Sequence, residues 1–215
     1  MSDLKQAIQR EYLQCAQNPV HFMRKYCTIQ HPTKGKVKFD LYPFQEKCLT
    51  TFKDNRYNII LKARQLGIST LSAGYSLWLM LFHNDKNILV IATGKDTAKN
   101  LVTKVRVMYD NLPQWLKTGT EEINKLSLRF TNGSQIKAIA SNESAGRSEA
   151  LSLLIIDEAA FIHSIDTIWT AAQQTLSTGG GCIALSTPNG VGNWFHKQWL
   201  GAEDGTNNFN TIRLH

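Results

Sequence analysis

The sequence predicts an α/β protein, a mainly parallel sheet with helices on both faces and a β-hairpin inserted into it. Two observations carry this expectation. From residue 57 to residue 213, apolar runs of strand length alternate with longer segments of helical period. Those runs are apolar at nearly all successive positions, as in Ile59-Ile60-Leu61 and Leu151 to Ile156, which is the pattern of strands covered on both sides. With 215 residues and 42% hydrophobic content, the chain can bury one full core and a small subdomain.

The elements follow in order. Leu4, Ile8 and Leu13 recur among polar residues and predict a helix over 3–16; Asn18-Pro19 ends it and caps a second short helix reaching Tyr26. The stretch HPTKGKVKFDLYP reads as a loop with one brief strand, and Pro43 opens a helix over FQEKCLTTFKD. Strands are then expected at 57–62, 87–92, 151–156, 182–186 and 208–213, with helices at 69–83, 95–110, 164–177 and 191–200. The segment LSLRFTNGSQIKAIA places two alternating runs around Asn132-Gly133, a hairpin signal.

Composition narrows the class of function. A net charge of +7 suits an anionic partner such as nucleic acid, although excess charge also serves solubility. The cysteines, Cys15, Cys27, Cys48 and Cys182, form no C-x-x-C pair and no zinc-type spacing with histidine, which points to reduced, partly buried thiols. The N-terminal MSDLKQAIQREYLQ is charged and lacks the apolar stretch of a signal peptide. Leu71 to Phe82 is too short to span a bilayer and reads as a buried helix. A soluble, intracellular protein is expected.

Four motifs carry chemistry. IILKARQLGIST, residues 59–70, is a strand, a loop and a helix start that approximates the phosphate-binding pattern G-x-x-x-x-G-K-[ST], with Ile68 where the lysine belongs. Backbone N–H groups of Gln65, Leu66, Gly67, Ile68 and Ser69 would cradle phosphate oxygens, and Ser69, with Thr70 second, takes the Mg²⁺ position. LSLLIIDEAAFI ends an apolar strand in Asp157-Glu158, at the crevice where α/β folds bind ligands. Asp157 can hold Mg²⁺ directly or through water, and Glu158 can polarise a water that attacks a γ-phosphate. In LYPFQEKCL, the Gln45 amide can read N6 and N7 of adenine, and either Tyr42 or Phe44 can pack on the base. CIALSTPNG ends a strand in Ser186-Thr187, hydroxyls placed to sense the γ-phosphate or the attacking water.

Glutamine motif, phosphate loop, acidic pair and Ser-Thr occur in the order of translocating ATPases of the glutamate-switch class, RecA-like P-loop NTPases that bind ATP and Mg²⁺. The wording of FDLYPFQEKCL, ARQLGIST, LLIIDEAAFI and LSTPNG resembles the ATPase domain of the large terminase subunit of tailed bacteriophages. That resemblance implies a helical segment with the adenine motif at 1–56 and a P-loop ATPase core at 57–215. The family's C-terminal nuclease domain has no length left in 215 residues, so no DNA cutting is expected. Some members carry the lysine at the start of the loop, where Lys62 stands. The resemblance also gives Arg64 a phosphate-contacting or coupling role and puts Arg147 in a region from which a family arginine reaches the neighbouring subunit's nucleotide in a ring; the two compete for the arginine-finger role. Implied partners are double-stranded DNA, a portal protein and a small terminase subunit, with a homo-oligomeric ring on the procapsid, no membrane, and the host-cell cytoplasm as location. Lys95, Lys99, Lys104 and Arg106 form a charged run whose plainer reading is a solvated helix face. The alternatives are a helicase-like nucleic-acid-dependent ATPase and a non-hydrolysing nucleotide-binding module.

Overall fold

The computed structural model describes residues 2–141 and 150–215. Helices α1 (Ser2–Gln17) and α2 (Pro19–Tyr26) come first, followed by strands β1 (Thr28–His31) and β2 (Gly35–Lys38), and helix α3 (Pro43–Asp54). The alternating region is β3 (Tyr57–Lys62), α4 (Ile68–Phe82), β4 (Asn87–Ala92), α5 (Lys95–Asp110), β5 (Thr120–Ile123), β6 (Ser127–Phe130) and β7 (Gln135–Ala140). After it come β8 (Leu153–Asp157), α6 (Ile165–Leu176), β9 (Gly181–Ser186), α7 (Trp194–Glu203) and β10 (Asn210–Leu214).

Among the described residues one sheet of eight strands runs in the order β10-β3-β9-β8-β4-β7-β6-β5. The six strands from β10 to β7 are parallel, and β6 and β5 are antiparallel additions at one edge. Successive strand residues point to opposite faces. Ile60, Val90, Ile155 and Leu185 therefore pack under α4 and α5, while Ile59, Ile91, Ile156 and Ala184 pack under α6 and α7. Helices α2 and α3 lie outside α4, which explains why Leu71 to Leu81 is apolar on nearly every side.

Four details depart from the sequence expectation. The segment expected to hold one brief strand is a two-stranded antiparallel hairpin, paired from Thr28↔Lys38 to His31↔Gly35 and turned through Gly35 at φ 69°. A third strand, β5, extends the insertion. The insertion is also not an appendage, because β7 pairs in parallel with β4 along its whole length, from Asn87↔Gln135 to Ala92↔Ala140. Its turn is tied down by Asn132, which donates to Met80 O at 2.8 Å, and by Ser134, which donates to His83 O at 2.8 Å. Finally, α7 starts at Trp194, later than expected. Gly190 and Gly192 adopt φ 68° and 84°, and the Asn193 side chain caps the helix by accepting the His196 N–H at 3.0 Å.

The parallel arrangement brings the carboxyl ends of β3, β8 and β9 side by side, so the loop after Lys62, Asp157-Glu158 and Ser186-Thr187 meet at one edge. Close packing holds the opposite end. A Cβ on Gly180 would lie 2.0 Å from the Leu151 carbonyl oxygen and 2.8 Å from Leu176 Cδ2. Gly180→Ala is expected to cost about 1–3 kcal/mol by overpacking, read as a lower urea midpoint with an unchanged slope.

Candidate active site

The phosphate loop takes its shape from two left-handed residues, Gln65 at φ 63° and Gly67 at φ 72°. Gly67 is the N-cap of α4, whose first-turn N–H groups have no partner within the helix and open towards the loop. Behind the loop stands Gln45, only 3% exposed. Its amide donates to Leu66 O at 2.9 Å and accepts the Tyr42 N–H at 3.1 Å. A Cβ at position 67 would lie 2.8 Å from Gln45 Nε2, the end of a flexible side chain, so it is the left-handed conformation at φ 72° that calls for glycine there. The structure thus turns Gln45 onto the loop and onto the cap of its own helix. Tyr42, 64% exposed, stacks on Phe44 with ring centroids 5.7 Å apart.

Lys62, at the end of β3, is 8% exposed and donates to Glu158 Oε1 at 2.7 Å. The other oxygen of Glu158 accepts from the Thr187 N–H at 3.1 Å and the Thr187 hydroxyl at 3.0 Å, and Ser186 Oγ lies 3.4 Å away. Ser186 also accepts the Ala160 N–H at 3.1 Å, fixing the turn after the acidic pair. Glu158 itself has φ 53°, a left-handed conformation that costs a non-glycine residue roughly 1–3 kcal/mol and persists where surrounding contacts impose it. Ser69 donates to Asp157 Oδ1 at 3.2 Å. The sequence-predicted Lys62, Ser69, Asp157, Glu158, Ser186 and Thr187 therefore form one connected cluster. Ile68 points into the core, Thr70 is half-buried at the cleft, and Arg64 is exposed. Arg147 lies outside the described residues.

The two carboxylates are pushed apart. For Asp157, burial raises the pKa, and the Glu158 charge adds to this against the opposing Ser69 hydrogen bond and the Lys62 and Lys104 charges. For Glu158, burial also works upwards, but the Lys62 and Thr187 hydrogen bonds outweigh it and hold the carboxyl below its ordinary value. A buried carboxylate beside a serine hydroxyl is an oxygen donor set that suits Mg²⁺, a hard cation usually held by one or two carboxylates plus substrate phosphates. The residues fit such an ion.

An open cleft of about 620 Å³ lies over the loop. It is lined by Lys62, Arg64, Ser69 and Glu158, by Gln30 and Pro32 of the β1–β2 hairpin, and by Lys104 of α5. Sequence reasoning grouped Lys104 with the other cations of α5. The fold separates them, because Lys104 is about half a helical turn from Lys95 and Arg106. The signal was present in the apolar stripe of Ala98, Leu101, Val105 and Met108, which puts Lys104 on one flank and Lys95 and Arg106 on the other.

A family model described as terminase large subunit, T4likevirus-type, N-terminal, matches residues 59–213. The chain belongs to this terminase family. A curated relative, named "Probable terminase, large subunit gp28" of Escherichia phage Mu, is 33% identical over 101 residues, covering 46% of this chain and 18% of the phage Mu protein. The chain thus spans a small part of that relative's length. The large terminase ATPase domain of Thermus phage P74-26 matches with a TM-score of 0.63 and 22% identity over 82% of this chain and 81% of that one. The large terminase of a thermophilic bacteriophage, solved in complex with ATP-gamma-S, matches with a TM-score of 0.62 and 17% identity over 81% of this chain and 44% of that one. These structural likenesses establish the P-loop NTPase fold. No described helix is long and apolar enough to cross a membrane.

In this terminase-family chain the buried Asp157 is a local liability. Asp157→Asn keeps the Ser69 hydrogen bond and removes the charge, so the nucleotide-free protein is expected to melt a few degrees higher in EDTA. About 1 kcal/mol moves Tm by roughly 2–4 °C in a domain of this size. Thermal melts of both proteins check this; an unchanged or lower Tm contradicts it.

Proposed function

We propose that this chain is the ATP-hydrolysing motor domain of a phage large terminase, driving double-stranded DNA into a procapsid. The observation that carries the reading is the exchange built around Glu158, which is held by the loop lysine on one oxygen and by Thr187 on the other. Triphosphate oxygens entering the cleft compete for the Lys62 ammonium. Lys62 then leaves Glu158 for the phosphates, and the N–H groups from Gln65 to Ser69 hold the remaining oxygens. Released on one side, Glu158 stays oriented by Thr187 and Ser186 and takes a proton from the attacking water. Ser69 and Asp157 would hold Mg²⁺, which supplies neutralisation of the charge between the β- and γ-phosphates. Arg64 faces the cleft and stabilises charge that develops in transfer. Arg147 acts in trans from a neighbouring subunit of a ring, a role worth ~10³–10⁵ in rate in related phosphoryl transfers.

The base has a place on the exposed Tyr42–Phe44 stack, with Gln45 setting the height of the loop beside it. In this reading the motor works in the host-cell cytoplasm, docked on a portal protein and supplied with DNA by a small terminase subunit. DNA is held through its phosphates without base readout, as movement along any sequence requires. The terminase family, the ATP-gamma-S complex of a structural relative and the net charge of +7 support this reading.

Glu158→Gln is expected to lower ATP turnover by about 10²–10⁴-fold while ATP-gamma-S still binds. Lys62→Ala is expected to lose binding and turnover together. Steady-state hydrolysis and calorimetric titration separate the two outcomes, and near-normal turnover in Glu158→Gln overturns the role of that residue.

A further inference from the structure

Among the described residues that line the cleft, Lys104 is the cation that the proposed mechanism does not use. It is half-buried, and among the described residues no carboxylate forms an ion pair with it. Lys104 lines the cleft together with Ser69, Thr70 and Glu158, whereas Lys95, Lys99 and Arg106 of the same helix do not. On its other side it borders a recess of about 180 Å³ whose lining includes the apolar Ile29, Val107 and Met108. A desolvated ammonium without a counter-ion is an expensive arrangement. Burial pushes its pKa down, the Lys62 charge adds to this, and attraction to Asp157 opposes it. Lys62 already has a partner in Glu158, so the uncompensated positive charge of the cleft is concentrated at Lys104 and Arg64.

We propose that Lys104 is a specificity-determining residue that contacts the terminal phosphate of a bound nucleoside triphosphate and lets the cleft distinguish triphosphate from diphosphate. The inference rests on the nucleotide reading of the cleft. Its geometric basis is that the loop N–H groups and Lys62 approach from β3 and α4, whereas Lys104 approaches from α5, across the opening. Phosphates seated in the loop are served by the first set. A further phosphate extending towards Asp157 and Glu158 reaches the second. The contact also gives nucleotide loading a direct hold on α5, against which the β1–β2 hairpin packs through Ile29.

The test is calorimetric titration of the whole chain with ATP-gamma-S and with ADP, each with Mg²⁺. Lys104→Met keeps the apolar stem against the recess and removes only the charge. It is expected to weaken ATP-gamma-S binding by about 10- to 100-fold, the scale of a charge-assisted hydrogen bond, with ADP binding unchanged within about twofold. Lys104→Arg is expected to restore most of the preference. Lys104 is half-buried and has no ion-pair partner among the described residues, so a melt within a few degrees of that of the unaltered protein accompanies the result. Equal weakening of both nucleotides, or no change in either, overturns the assignment to Lys104 while leaving the nucleotide site standing. An unaltered protein that binds neither nucleotide overturns the proposed function, and this inference with it.

Discussion

The ion pair between Lys62 and Glu158 joins three strands that are far apart in sequence. Lys62 ends β3, Glu158 follows β8, and the Thr187 group that completes the carboxylate's hydrogen bonding follows β9. Because β9 lies between β3 and β8, the lysine and the acid reach each other across its end. A partly buried pair of this kind is weak evidence for stability, since desolvation offsets the Coulomb gain. Its importance lies in position. It keeps a cation at the mouth of the loop and holds the neighbouring carboxylate ionised without a ligand.

The rest of the cleft is arranged around that pair by backbone geometry rather than by further charges. Glu158 tolerates a left-handed backbone because both its carboxylate oxygens are engaged. Gln65 and Gly67 curl the loop, and Gln45 supports it from behind through a single side chain that also caps α3. The result is a chain of rigid contacts from α3, through the loop, to the ends of β8 and β9. A displacement of α3 along its axis therefore moves the Leu66 carbonyl, and with it the curve on which phosphate oxygens would rest.

Much of this was legible in the sequence because strands buried on both faces must be apolar at every position. That constraint announced β3, β4, β8 and β9, and the acidic pair at the end of β8 then marked the site. What escaped notice was set by tertiary context. Strand β5, Thr-Glu-Glu-Ile, is an exposed edge with no alternation, and edges favour charge. The β1–β2 pair is short and half-exposed, so its signal was that of a loop. The direction of the Gln45 amide depended on where the loop would curl. Lys104 was visible as a basic residue on a helix, but which flank meets the cleft is decided by how α5 lies on the sheet.

The sheet order has a further consequence for how the chain is made. Strands β3 and β4 are the first of the eight in sequence, yet they do not touch; β3 sits between β9 and β10, and β4 between β7 and β8. As the polypeptide emerges from a ribosome, both strands appear before any neighbour that will cover their hydrogen-bonding edges. Helices α4 and α5 can shield one face, but the other stays bare until α6 and α7 follow. Pairings so distant along the chain are slow to form. Nascent intermediates of this protein therefore carry long, apolar, unpaired strands, the form in which a chain is most readily captured by chaperones or by other copies of itself.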